Sequence, residues 1–167
     1  MGIIVNKGML LPVRKLQSLK FAQGTPYETR FAPATAKAER VLPEEVAQIV
    51  RRSLVDVVQA GTAVRLKKGF TQKEGEGIEM GGKTGTGDQR FASYAANGRL
   101  IESRAVNRSA TFVFLIGERF FGTVTAYVHE PYAADYAFTS ALTVQLLKSM
   151  IPALQPLVAG SADGQIP

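Results

Sequence analysis

Gly81-Gly82-Lys83-Thr84-Gly85-Thr86-Gly87-Asp88 decides how this sequence folds, because two incompatible structures compete for it. Taken with its left flank, Gly77-Ile78-Glu79-Met80-Gly81-Gly82-Lys83-Thr84 has the spacing of a phosphate-binding loop. In such a loop backbone N–H groups and a lysine cradle phosphates at a helix N-terminus. That loop needs an apolar strand before it and a helix directly after the Lys-Thr pair. Here the preceding residues, Gly69-Phe70-Thr71-Gln72-Lys73-Glu74-Gly75-Glu76, are polar and include two glycines. Downstream, Gly85 and Gly87 would each cost about 1 kcal/mol in a helix start relative to alanine. An extended strand lining a cleft is therefore the expected structure, and a nucleotide-binding protein using Gly77 to Thr84 stays as an alternative.

As a strand the segment makes chemical sense. Side chains alternate, so Lys83 and Gly85 point one way and Thr84 and Thr86 the other. Glycine at 85 removes a side chain where a substrate backbone would approach closely. A lysine ammonium and threonine hydroxyls can hold a carboxylate, and a strand N–H can stabilise an acyl oxyanion. These are binding and electrostatic roles, not nucleophilic ones.

Upstream, Pro43 pre-sets a helical turn and Glu44 and Glu45 suit its positive end. Val46, Ile49, Val50, Leu54, Val57 and Val58 then recur at helical spacing until Gly61, which predicts a helix over 43–60 with that stripe buried. Arg65 to Met80 reads as an exposed connection, and 91–107 as irregular with a turn at Asn97-Gly98. The β-branched and aromatic runs Ala110 to Ile116 and Phe120 to Val128, joined by Gly117-Glu118-Arg119, predict an antiparallel hairpin. Its aromatic residues Phe112, Phe114, Phe120, Phe121 and Tyr127 are expected to pack in the core or on the sheet. A final helix is expected over 136–152 with Leu142, Leu146, Leu147 and Met150 on its buried side, and residues 156–167 as a disordered tail beyond a domain spanning 1–155. Val13 to Lys37 reads as short strands and loops. The apolar opening Met1-Gly2-Ile3-Ile4-Val5 has no polar lead-in, which suggests an element whose first half lies elsewhere. The fold class is thus α+β, an antiparallel sheet covered by helices.

Composition narrows the chemistry. Cysteine is absent and His129 is the single histidine, so thiolate and imidazole metal clusters are excluded and no cofactor is expected. His129, near a strand end, is expected as a surface or edge residue. The 20 Lys and Arg against 14 Asp and Glu give +6, but the basic residues are scattered, with no polybasic arm and no RNA-binding aromatic motif. Nucleic acid is not an expected partner. No signal-peptide pattern and no run of about 18 apolar residues occurs.

The order of these segments resembles the second part of a penicillin-binding transpeptidase domain, with a serine β-lactamase/transpeptidase-like fold. Asn6-Lys7-Gly8 followed by Leu11-Pro12 is similar to the family's Asn-Gly-Gly turn and following proline, with lysine where glycine is usual. Val41 through Ala63, ending Val57-Val58-Gln59-Ala60-Gly61-Thr62-Ala63, resembles the helix before the Lys-Thr-Gly strand, and Lys83-Thr84-Gly85-Thr86 follows as it does there. The resemblance implies acyl transfer on peptidoglycan stem peptides, with β-lactams acylating the same serine, outside the cytoplasmic membrane. Lys83 would support the catalytic polar network and the Thr86 N–H would donate to the oxyanion. Thr84, Gly85 and Thr86 would contact substrate. No serine in this sequence has lysine three residues later, and no serine or tyrosine has asparagine two residues later. The nucleophile motifs are expected in an upstream half of the domain. Without that half the chain is expected to be inactive, and to self-associate or be partly disordered near residues 1–40.

Overall fold

The computed structural model describes residues 1–12, 19–31, 37–72 and 75–160. Its centre is a three-stranded antiparallel sheet of β5 (Met80–Tyr94), β6 (Leu100–Ile116) and β7 (Phe120–His129), in the order β5-β6-β7. Two smaller antiparallel pairs precede it: β1 (Met9–Leu10) with β4 (Glu39–Arg40), and β2 (Leu19–Phe21) with β3 (Thr29–Phe31). A short helical turn α1 (Gly2–Val5) opens the chain, α2 (Glu44–Gln59) precedes the sheet and α3 (Ser140–Gly160) closes it. The α+β class is as expected from the sequence, as is the β6–β7 hairpin.

Directly opposed residues share a face of a sheet. The pairs Met80/Ile116, Gly82/Phe114, Thr84/Phe112 and Thr86/Ala110 therefore lie on one side. That side is the core, where Met80, Phe112, Phe114 and Ile116 meet Val58, Leu66, Phe70 and the α3 residues Val144 and Leu147. Two adjacent glycines set the distances. A Cβ at Gly81 would lie 3.0 Å from the α2 backbone at Leu54 and Val55, and one at Gly82 would lie 2.6 Å from the Phe112 ring.

Several details differ from the sequence reading. Leu66, Phe70 and Met80 are buried, so the expected exposed connection contributes three core residues, the first from a 3-10 turn at Val64–Leu66. Residues 91–107 are not irregular. β5 and β6 continue through them as a long two-stranded ribbon turning at Gly98 (φ +80), with register shifts at Gln89/Arg90 and Ser93/Tyr94. Helix α3 starts at Ser140 rather than 136 and runs to Gly160. It therefore passes through Pro152 and Pro156 and beyond the expected end of the domain; 161–167 lie outside the described residues. It buries Thr143, Val144 and Leu147, while Leu142, Leu146 and Met150 stay exposed. Long and apolar enough to cross a membrane by composition alone, α3 lays Ile151, Leu154 and Val158 against the core. Phe121 and Tyr127 are exposed, unlike Phe112 and Phe114.

The apolar stripe of α2 divides. Val58 is buried and Val57 packs beside it, but Val46, Ile49 (62% exposed) and Val50 are exposed. Gly61 ends the helix by close approach: a Cβ there would sit 2.9 Å from Val57 Cα and carbonyl oxygen. Just past α1, Lys7 holds φ +52 beside Gly8 at φ +88, so Lys7 adopts the left-handed conformation that favours glycine.

Candidate active site

Lys83-Thr84-Gly85-Thr86 lies in the middle of β5, paired with Val113, Phe112, Thr111 and Ala110. No helix follows the Lys-Thr pair, so the phosphate-loop alternative lacks the N-terminus it requires. β5 is an edge strand, and among the described residues no strand pairs with its outer side. The direction of its backbone groups follows from the ladder. Gly117 N–H donates to Glu79 O at 2.8 Å, which makes 79/117 a hydrogen-bonded pair. Alternation then gives Gly81, Lys83 and Gly85 to the β6 ladder and turns the N–H and C=O of Thr84 and Thr86 to the open edge.

Each side chain has its own surroundings. Lys83 is exposed, and its ammonium donates to the Thr84 carbonyl oxygen at 2.6 Å. At Gly85 a Cβ would meet nothing within 4 Å, so the face it shares with Lys83 is open there. Thr84 is only 8% exposed, and its hydroxyl lies 2.8 Å from that of Thr62. The Thr84 side chain is thus turned to the core and partnered by Thr62, and what Thr84 turns to the edge is backbone. The Thr86 hydroxyl accepts the Ser140 N–H at 3.0 Å, and a hydroxyl that accepts one bond still has a proton to donate.

Reading the sequence missed Thr62 and Ser140 as partners of these threonines. Neither has a local signature, since they lie 22 and 54 residues from the groups they touch. Nearby, Asp88 pairs with Arg108 at 2.9 Å, and Arg108 also donates to Ala133 O, tying the strand above the site to the segment before α3. His129 is exposed at the end of β7, its ring nitrogen against the Glu130 carbonyl. Among the described residues no group of three or more His, Asp or Glu could hold a metal. A cleft of about 560 Å³ between α1, α2 and the β6–β7 turn, lined by Lys7, Arg51, Arg52, Glu79 and Glu118 among others, includes none of Lys83 to Thr86.

The family model for the penicillin binding protein transpeptidase domain matches residues 1–100. No curated protein matches the sequence. Among solved structures, penicillin binding protein 3 from Mycobacterium tuberculosis complexed with aztreonam is 18% identical. It superposes with a TM-score of 0.51, covering 93% of this chain and 34% of its own. A peptidoglycan synthetase from Bifidobacterium adolescentis is 18% identical with a TM-score of 0.50, covering 90% of this chain and 25% of its own. These likenesses establish a common fold, and the chain spans about a third or less of either structure.

Proposed function

The chain belongs to the penicillin binding protein transpeptidase domain family, and from that premise we propose that it is the C-terminal part of a peptidoglycan D,D-transpeptidase domain. On this reading Lys83-Thr84-Gly85-Thr86 forms one wall of the active site. The serine that attacks the D-Ala-D-Ala bond comes from an upstream half, as do its lysine partner and the second motif. Stem peptides and β-lactams are the ligands of the joined protein, which works outside the cytoplasmic membrane and is anchored to it.

The observation that carries the reading is the open edge of β5. Thr84 C=O and Thr86 N–H turn toward it, Lys83 stands beside it, and Gly85 leaves its own face bare. An extended acyl substrate laid along this edge has strand-like partners. The Thr86 N–H serves as one donor to the tetrahedral oxyanion, and a donor of that kind is worth about 10²- to 10³-fold in rate. Lys83 supplies positive charge to the network linking the serine, its lysine and the substrate carboxylate.

The test joins this chain to its upstream half and exposes it to labelled penicillin. Covalent labelling that falls on Lys83→Ala supports the reading. Absent labelling of the folded joined protein favours a non-catalytic module that keeps the sheet for wall or protein contacts. The exposed Val46, Ile49 and Val50 are the surface the upstream half is expected to cover. Alone, the chain self-associates through it. Sedimentation should show a mass rising with concentration, and Ile49→Asp should bring it back to one copy.

A further inference from the structure

We propose that Thr62 is a positioning residue of this site, an inference that rests on the reading above. Among the described residues β5 is laddered on one side only, so the geometry of its open edge depends on what else holds the strand. On the core face two hydroxyls do so: Thr84 bonds Thr62 just past the end of α2, and Thr86 bonds the first residue of α3. The Thr62 anchor is itself fixed. Gly61 N–H bonds Asp56 O, Ala63 N–H bonds Val57 O, Val64 N–H bonds Gly61 O, and Ala63 is fully buried. At the other end of the bond, the Thr84 carbonyl is the group that receives the Lys83 ammonium.

Holding the Thr84 side chain thus fixes the peptide that orients Lys83 and, two residues on, the Thr86 N–H. Thr62 touches no substrate. It acts by keeping the donors aligned before a ligand arrives, and a site left loose by a fraction of an ångström loses rate rather than fold.

Two measurements separate this role from mere packing. In the chain itself, Thr62→Val keeps the side-chain shape and removes the hydroxyl. Amide exchange at Lys83 and Gly85 should quicken about tenfold, with Ala110 and Phe112 in the β6–β7 ladder unchanged and Thr62→Ser like the parent. Equal quickening in both ladders, or none at Lys83 and Gly85, overturns the proposal. In the chain joined to its upstream half, Thr62→Val should slow acylation by labelled penicillin about tenfold, with Thr62→Ser restoring it. Parent-like acylation in Thr62→Val also overturns it. A joined parent protein that never acylates refutes the transpeptidase reading and, with it, Thr62's role in the reaction, while the exchange result still shows whether the hydroxyl pins the strand.

Discussion

The Thr86 hydroxyl oxygen accepts the Ser140 N–H at 3.0 Å, so a side chain of the candidate site strand caps the first turn of α3 from 54 residues away. The first N–H groups of a helix have no partner within it, and losing a side-chain cap costs about 1 kcal/mol. Thr86→Val should lower stability by about that amount and Thr86→Ser by less than half of it. Urea unfolding of the two variants is the measurement.

Gly82 and Gly85 sit three residues apart and should respond oppositely to alanine. At Gly82 the new methyl would lie 2.6 Å from both the Phe112 ring and the Val113 carbonyl oxygen. One of these is backbone, so Gly82→Ala should destabilise by about 1–3 kcal/mol. Gly85→Ala meets open space and should change stability by less than about 0.5 kcal/mol. In the joined protein it should nevertheless impair penicillin labelling, because the methyl enters the face kept bare beside Lys83.

Phe70 is fully buried within a stretch of glycines and charges. Phe70→Ala should cost about 3–5 kcal/mol. Arg65→Ala, in the same connection but exposed, should stay within about 0.5 kcal/mol. Thermal unfolding of both variants checks the contrast.

In the β2–β3 hairpin the Glu28 carboxylate accepts the Gly24 N–H at 3.1 Å and the Arg30 Nε–H at 2.8 Å. The backbone bond first, then the Arg30 bond, holds its pKa below the ordinary 4.5. A lowered folded-state pKa means that the contribution is complete above the ordinary value and is lost as pH falls through the lower one. The Gly24 amide resonance should follow this acid titration, and in Glu28→Gln it should not move.

Elements with a strong period were readable. α2 and the β6–β7 hairpin lie where the spacing of Val57 and Val58 and the alternation around Val124 to Val128 place them. Leu66, Phe70 and Met80 were missed because three buried residues among lysines and glycines leave no period. In α3, apolar residues lie on more than one face, so Leu142, Leu146 and Met150 formed as good a stripe as the buried Val144 and Leu147. Residues 91–107 looked irregular because a two-stranded ribbon need not bury either face. The position of Lys83 to Thr86 on a strand was legible from its flanks. The partners of the two threonines were not, because only the tertiary fold brings Thr62 and Ser140 to them.

The two register shifts in the ribbon leave Val106 and Ile101 of β6 without opposed residues on β5. In an unbroken ladder a one-residue insertion reverses every later side chain. A bulge absorbs the extra residue locally. Both bulges lie between the Asn97-Gly98 turn and Thr86, so the pairing from Met80/Ile116 to Gln89/Asn107 runs without a break, and the phase of Lys83 is set by that inner ladder rather than by the outer ribbon.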